Sequence, residues 1–142
     1  MKHKGNYVDF TAQRNSELMR AFKKAYSEFP SNDIHKVFEI AVSYPCSRFW
    51  VSEERAMLVI SSLMKGQPIL ETMLPTKREM FIEILKRYQV ARKRQPNKPF
   101  FDIVFDIVNS PAPKFYMTPG SAMVTYYKIK QGHYNNQKRI HH

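Results

Sequence analysis

Apolar residues recur along most of this chain at three- and four-residue spacing, the interval that gathers them on one face of an α-helix. Leu18, Phe22, Ala25, Tyr26 and Phe29 mark one such face, and Pro30 ends it, so a helix is predicted over 11–28 behind a polar and aromatic arm, residues 1–10. Asp33 is placed to cap a second helix whose inner face is Ile34, Val37, Phe38, Ala41 and Val42. That helix must stop near Ser43, because the residue before a proline, here Tyr44 before Pro45, avoids the helical region. After a loop, Ser52 caps a third helix with Glu53 and Glu54 at its positive end; Ala56, Met57, Ile60, Leu63 and Met64 point inward, and Gly66 closes it.

The pattern then repeats. Residues 67–75 form a connector. Thr76 opens a fourth helix with Ile84, Leu85, Tyr88 and Ala91 inward, ending in Arg92-Lys93-Arg94 before Pro96. The run Phe100–Val108 is apolar and β-branched enough to pass for a strand, but its counterpart 66 positions earlier reads as helix, so a fifth helix is predicted. Thr118-Pro119 is a cap followed by proline at the first helical position, and a sixth helix carries Ala122, Met123, Tyr126 and Ile129 inward up to Gly132. At this 66-residue offset Pro45 falls on Pro111, Arg48 on Lys114, Phe49 on Phe115, Trp50 on Tyr116, Ser52 on Thr118 and Gly66 on Gly132, without a gap. Breakers, caps and core positions coincide together, which points to an internal duplication. The expected fold is all-α: two tandem trihelical, helix-turn-helix-like repeats, 11–66 and 76–132, packed about a pseudo-two-fold axis and followed by a basic tail, 133–142.

Charge sharpens the picture. The 142 residues carry 23 Lys and Arg against 12 Asp and Glu, a net charge of +11. Residues 1–66 hold 10 basic and 7 acidic residues and residues 67–142 hold 13 and 5, so the excess lies in the second half. A basic field of this size favours a polyanion, nucleic acid first and duplex DNA within that class. With 43% hydrophobic residues the chain has enough apolar mass for a core. One cysteine, Cys46, leaves no internal disulfide or Cys-based zinc cluster and fits a reducing compartment. No apolar run approaches the ~18 residues of a membrane span, and no apolar segment follows Met1-Lys-His-Lys to act as a signal. The expected location is the cytoplasm, or a virion assembled there, with no membrane partner.

Enzyme chemistry has little to stand on. The chain contains no Gly-rich phosphate loop, HExxH or Gly-x-Ser-x-Gly, and four of its histidines, His3, His133, His141 and His142, lie near the ends. Asp102 and Asp106 share a helix face and are read as solvated. No catalytic residue, metal or cofactor is assigned. The residues that fit nucleic acid are the Arg92, Lys93, Arg94 and Lys98 cluster, Lys114 and Tyr116 before the sixth helix, and Ser121, Thr125 and Lys128 on its outward face. Arg48 and Trp50 are their first-half counterparts, set back by the repulsion of Glu53-Glu54. Phe49 and Phe115 are read as buried anchors for the helices that follow. Trp50 and Tyr116 have two open roles, stacking on bases or pinning the loops.

Three strings, Ser47-Arg-Phe-Trp-Val-Ser-Glu-Glu-Arg-Ala56, Pro75-Thr-Lys-Arg-Glu-Met-Phe81 and Pro111-Ala-Pro-Lys-Phe-Tyr-Met-Thr-Pro-Gly-Ser-Ala122, resemble a family of small basic proteins carried by gut anaerobes of the Bacteroides group, their phages and mobile elements. The likeness spans residues 5–132. It implies a setting and no residue roles: a DNA-binding accessory protein of a phage or mobile element, or alternatively a structural protein of the phage head, neck or tail, with itself or other phage proteins as partners.

Overall fold

The computed structural model describes residues 3–132, with side chains from Phe10 onward. The basic tail and Lys2 lie outside the described residues. Within them the chain is all-helical: α1 His3–Glu28, α2 Ile34–Ala41, α3 Glu53–Met64, a 3-10 turn at Ile69–Thr72, α4 Pro75–Arg94, α5 Phe100–Val108 and α6 Pro119–Lys130.

Local chemistry sets the boundaries. The Asp33 carboxylate accepts the His35 N–H at 3.1 Å, Ser52 Oγ accepts Arg55 N–H at 3.1 Å, and Thr118 Oγ1 accepts Ser121 N–H at 3.0 Å. Gly66 closes α3 in the left-handed region, φ +80°, its N–H bonded to Leu63 O while Gln67 N–H reaches back to Ser62 O. Gly132 takes the same φ and bonds Ile129 O. Phe100–Val108 is helix, as its counterpart required. At the other end α1 begins at His3, which replaces the expected arm with two more turns of helix. Phe10 explains part of that extension, since its ring lies 6.2 Å from that of Trp50 and under the Arg48 guanidinium.

The helices sort into two groups, α1–α2–α6 and α4–α5–α3. Each third helix therefore leaves the pair that precedes it and packs on the other pair, which corrects the expected helix-turn-helix closed within each half. The cause is the segment between second and third helices. Residues 42–49 and 108–115 are not helical loops that fold back; they run antiparallel across the centre. Cys46 and Ala112 exchange N–H···O bonds, 3.0 Å each way, Phe49 N–H bonds Val108 O at 3.0 Å, and Phe115 N–H bonds Val42 O at 3.0 Å. The side chains cross in the same manner, with Phe49 against Tyr116 at 6.0 Å and Trp50 against Phe115 at 6.2 Å.

The crossing decides the core. Phe38, Phe49, Phe115, Leu18, Ile60 and Ile84 are among the largest fully buried side chains. Truncating either central Phe would cost ~3–5 kcal/mol. Helix faces are turned to suit the exchanged partners, so Val59, Met80 and Phe81 are buried, while Tyr26, Phe29 and Met64, expected inside, are about half exposed.

Candidate nucleic-acid interface

The aromatic residues of the two loops, and Arg48, are interior. Arg48 is 9% exposed. Its Nε donates to Phe49 O at 2.9 Å and its Nη2 to Val51 O at 2.6 Å, fixing the bend that leads into α3. Its Nη1 donates to Asn109 Oδ1 at 3.3 Å and lies 3.9 Å from Glu53 Oε2, which in turn accepts Asn109 Nδ2 at 3.0 Å. Burial pushes the Arg48 pKa down and the Glu53 charge opposes that shift. Glu53 is itself buried, so it neutralises Arg48 rather than facing a ligand.

Trp50 and Tyr116 are 5% and 7% exposed, which settles their open roles as anchors and corrects the expectation that they contact nucleic acid. Tyr116 is also the one non-glycine residue with positive φ, +56°, among those described. That backbone costs ~1–2 kcal/mol, offset by ring burial against Phe49. Burial, then the charges of Glu83 and Glu79, push its hydroxyl up to about 12. Cys46 sits between the crossed segments with its Sγ near Arg48 O, 3.3 Å, and Lys114 O, 3.4 Å. Burial, then the Glu17 charge, push this thiol up to about 12, so at neutral pH it is an unreactive thiol.

The basic cluster divides. Arg92 is a structural cap: its guanidinium donates to Pro96 O at 3.0 Å, to Lys98 O at 2.7 Å and to the Tyr88 hydroxyl at 3.1 Å, shaping the turn into α5. Lys98 pairs with Asp106, and Lys114 pairs with Glu79 at 2.6 Å. Lys93 and Arg94 are exposed with no ion-pair partner among the described residues, and Lys86 stands beside Arg94 along one shallow groove on α4. On α6, Ser121 and Lys128 are exposed as expected. Thr125 is not; at 9% exposure it packs inward with Ala122, because α6 presses this face on α1 and α2.

Several acids are engaged by other residues of the chain. Glu17 takes Ser47 N–H at 2.9 Å, Glu28 takes the Tyr44 hydroxyl at 3.0 Å, and Glu53, Glu79, Glu83 and Asp106 are paired with cations. Lys23, Lys36, Lys65, Lys86, Lys93, Arg94 and Lys128 remain exposed and have no such partner among the described residues. Asn109 and Arg87 have structural roles that the sequence did not reveal; Arg87, in the basic run with Lys86, reads there as a phosphate contact. Arg87 bridges Glu83 at 2.9 Å and Pro111 O at 2.8 Å, with its guanidinium over the Phe49 ring at 4.9 Å. The signal for it was present: at the 66-residue offset its counterpart is Ala21, a substitution of large for small beside matched neighbours.

Among the described residues no three His, Cys, Asp or Glu side chains converge as a metal site, and no helix is long and apolar enough to cross a membrane. Set against family models, curated proteins and solved structures, the chain finds no match.

Proposed function

We propose that the protein is a non-enzymatic nucleic-acid-binding accessory protein of a phage or mobile element, acting on duplex DNA. One observation carries this reading: Glu53, Glu79, Glu83 and Asp106 are each paired with a cation, while Lys23, Lys36, Lys65, Lys86, Lys93, Arg94 and Lys128 face solvent without such a partner among the described residues. The binding surface is the C-terminal half of α4, through Lys86, Lys93 and Arg94, with Ser121 and Lys128 on the outward face of α6. Such a surface contacts phosphates and reads little sequence, so affinity falls steeply with salt.

The chain is read as an internal duplication whose third helices are exchanged between halves. This is supported by hydrogen bonds and ring contacts that join residues 66 apart or exchange such partners, notably Cys46 with Ala112 and the pair Phe49–Val108 and Phe115–Val42. A second reading, a phage structural protein, is favoured by exposed apolar residues at equivalent places on the two third helices, Leu58 at 63% and Val124 at 55%. Light scattering on a sizing column, with and without a duplex, tests both. A monomer or dimer that comigrates with DNA supports the first. Rings or higher oligomers that ignore DNA sink it and support the second.

A further inference from the structure

Two exposed apolar features of the chain carry charges of opposite sign. The first is the outer face of α5. Phe101 and Phe105, one helical turn apart with rings 5.8 Å from each other, are 43% and 40% exposed. Asp102 lies three residues before Phe105, on the same face, and has no ion-pair partner among the described residues. At the 66-residue offset this place on α2 is polar: His35 and Glu39 stand there, Nδ1 3.6 Å from Oε2. Two phenyl rings thus replace a solvated pair on a face that the fold leaves uncovered.

The second feature is a groove of about 170 Å³ beside the N-terminal turns of α3 and α4. Val51 and Phe81, both buried, lie at its base. Its open wall is Met73 and Leu74, the latter at 72% the most exposed large apolar residue among those described. Arg55 and Lys77 complete the lining; both are exposed, and neither has an ion-pair partner among the described residues. No acid lines the groove. Burial, then the charges of Arg14 and Arg55, push the Lys77 pKa down, so cations crowd here without a carboxylate to balance them. A cavity of about 150 Å³ admits a benzene ring, so the groove has room for one phenyl side chain.

We infer that the Phe101–Phe105 face of one copy docks in the α3–α4 groove of a second copy, with Asp102 against Arg55 and Lys77. Charge complementarity names the occupant. In a chain of net charge +11, the α5 face is an aromatic surface with an uncompensated carboxylate, and the groove is an apolar surface with uncompensated cations. The contact joins two different surfaces, so it is head-to-tail and repeats from copy to copy rather than closing a symmetric pair. Packing α5 on α5 of a second copy explains less, since it would set two Asp102 carboxylates in one small interface and leave the groove's cations unpaired. Neither surface includes Lys86, Lys93, Arg94, Ser121 or Lys128, so the inference goes beyond DNA binding and does not depend on it.

Sedimentation velocity across a range of protein concentrations, without DNA, tests the contact. The wild-type chain should show a mass that rises with concentration. Phe105→Ser, Asp102→Lys and Lys77→Asp should each weaken association by ~10-fold or more, since an anchor is lost or like charges meet. Leu74→Asp should do the same while supplying α4 with the side-chain cap it lacks, so the loss cannot be laid to unfolding. Mixing Asp102→Lys with Lys77→Asp should restore association, because each surface then finds its complement on the other variant. A wild-type chain that stays monomeric overturns the inference, and so does a mixture that stays dissociated. Association that survives Lys77→Asp but is lost in Phe105→Ser gives the α5 face a different occupant and also overturns it. DNA plays no part in these readouts, so failure here leaves the polyanion surface standing, and failure of DNA binding leaves this contact standing.

Discussion

Neutralising Lys86, Lys93 and Arg94 together as Lys86→Gln, Lys93→Gln and Arg94→Gln removes three exposed cations that have no ion-pair partner among the described residues. If each meets one phosphate, the slope of log affinity against log salt should become shallower by ~2.7, from ~0.9 per phosphate. Across a fourfold rise in salt the wild-type chain would then lose ~40-fold more affinity than the variant. Fluorescence anisotropy on a labelled duplex at several salt concentrations measures this directly. Stability should stay within ~0.5 kcal/mol of wild type, as for surface changes away from structural contacts. Arg92→Gln is the informative contrast. It removes one cation from the same cluster but breaks bonds to two backbone carbonyls and the Tyr88 hydroxyl, so it should lower stability by ~1.5–3 kcal/mol. An unchanged salt slope in the triple variant refutes the proposed surface. So does a triple variant that loses binding only because it unfolds.

Three further outcomes are expected. Phe49→Ala and Phe115→Ala should each cost ~3–5 kcal/mol in denaturant unfolding, because both rings are fully buried at the crossing. Gly66→Ala should cost ~1–2 kcal/mol from backbone strain alone, since φ is +80° and no atom lies within 4 Å of the added Cβ. Stability should also fall in alkali. The fold favours the protonated Cys46 thiol, whose pKa rises from 9.0 to about 12, so its contribution is whole below pH 9 and is lost as pH climbs to about 12; Tyr116, raised from 10.0 to about 12, acts in the same sense. Cys46→Ala should flatten the early part of that decline at little cost near neutrality, for Ala112 already fills the equivalent place at 2% exposure.

What was legible in the sequence was local. Asp33, Ser52, Thr118 and the two closing glycines act within one turn of chain, so residue type and position suffice to place them. Which partner a helix face meets is non-local. The stripe on α3 says that one side is buried, and nothing in it says that α4 and α5 do the burying. The same gap explains the site. Arg48 is a cation beside aromatics, a pattern that fits phosphate until Glu53 and Asn109 are seen to enclose it. Thr125 was misplaced for a different reason. It lies three residues after Ala122, on the inward stripe, and was put outside on its hydroxyl alone although its methyl group is at home in a core.

The Arg48–Glu53–Asn109 cluster makes the exchange itself testable. Glu53 is the first residue of α3, and Asn109 caps the end of α5, where its Nδ2 also donates to Phe105 O at 2.9 Å. The cluster thus ties the start of each exchanged connection to the opposite half. Glu53→Met would leave the Arg48 charge buried without its carboxylate, a loss of ~3–5 kcal/mol. Arg48→Met would free Glu53 and also strip a donor from the Phe49 and Val51 carbonyls, so it should cost at least as much. The double variant retains only the carbonyl penalty. It should therefore be less destabilised than the sum of the singles by ~1–3 kcal/mol. Strict additivity in that cycle would mean the buried charges do not sense each other. Amide exchange gives the structural readout: in Glu53→Met, protection should fall first along α3, whose docking on α4 and α5 begins at this residue, while α1 and α2 keep theirs.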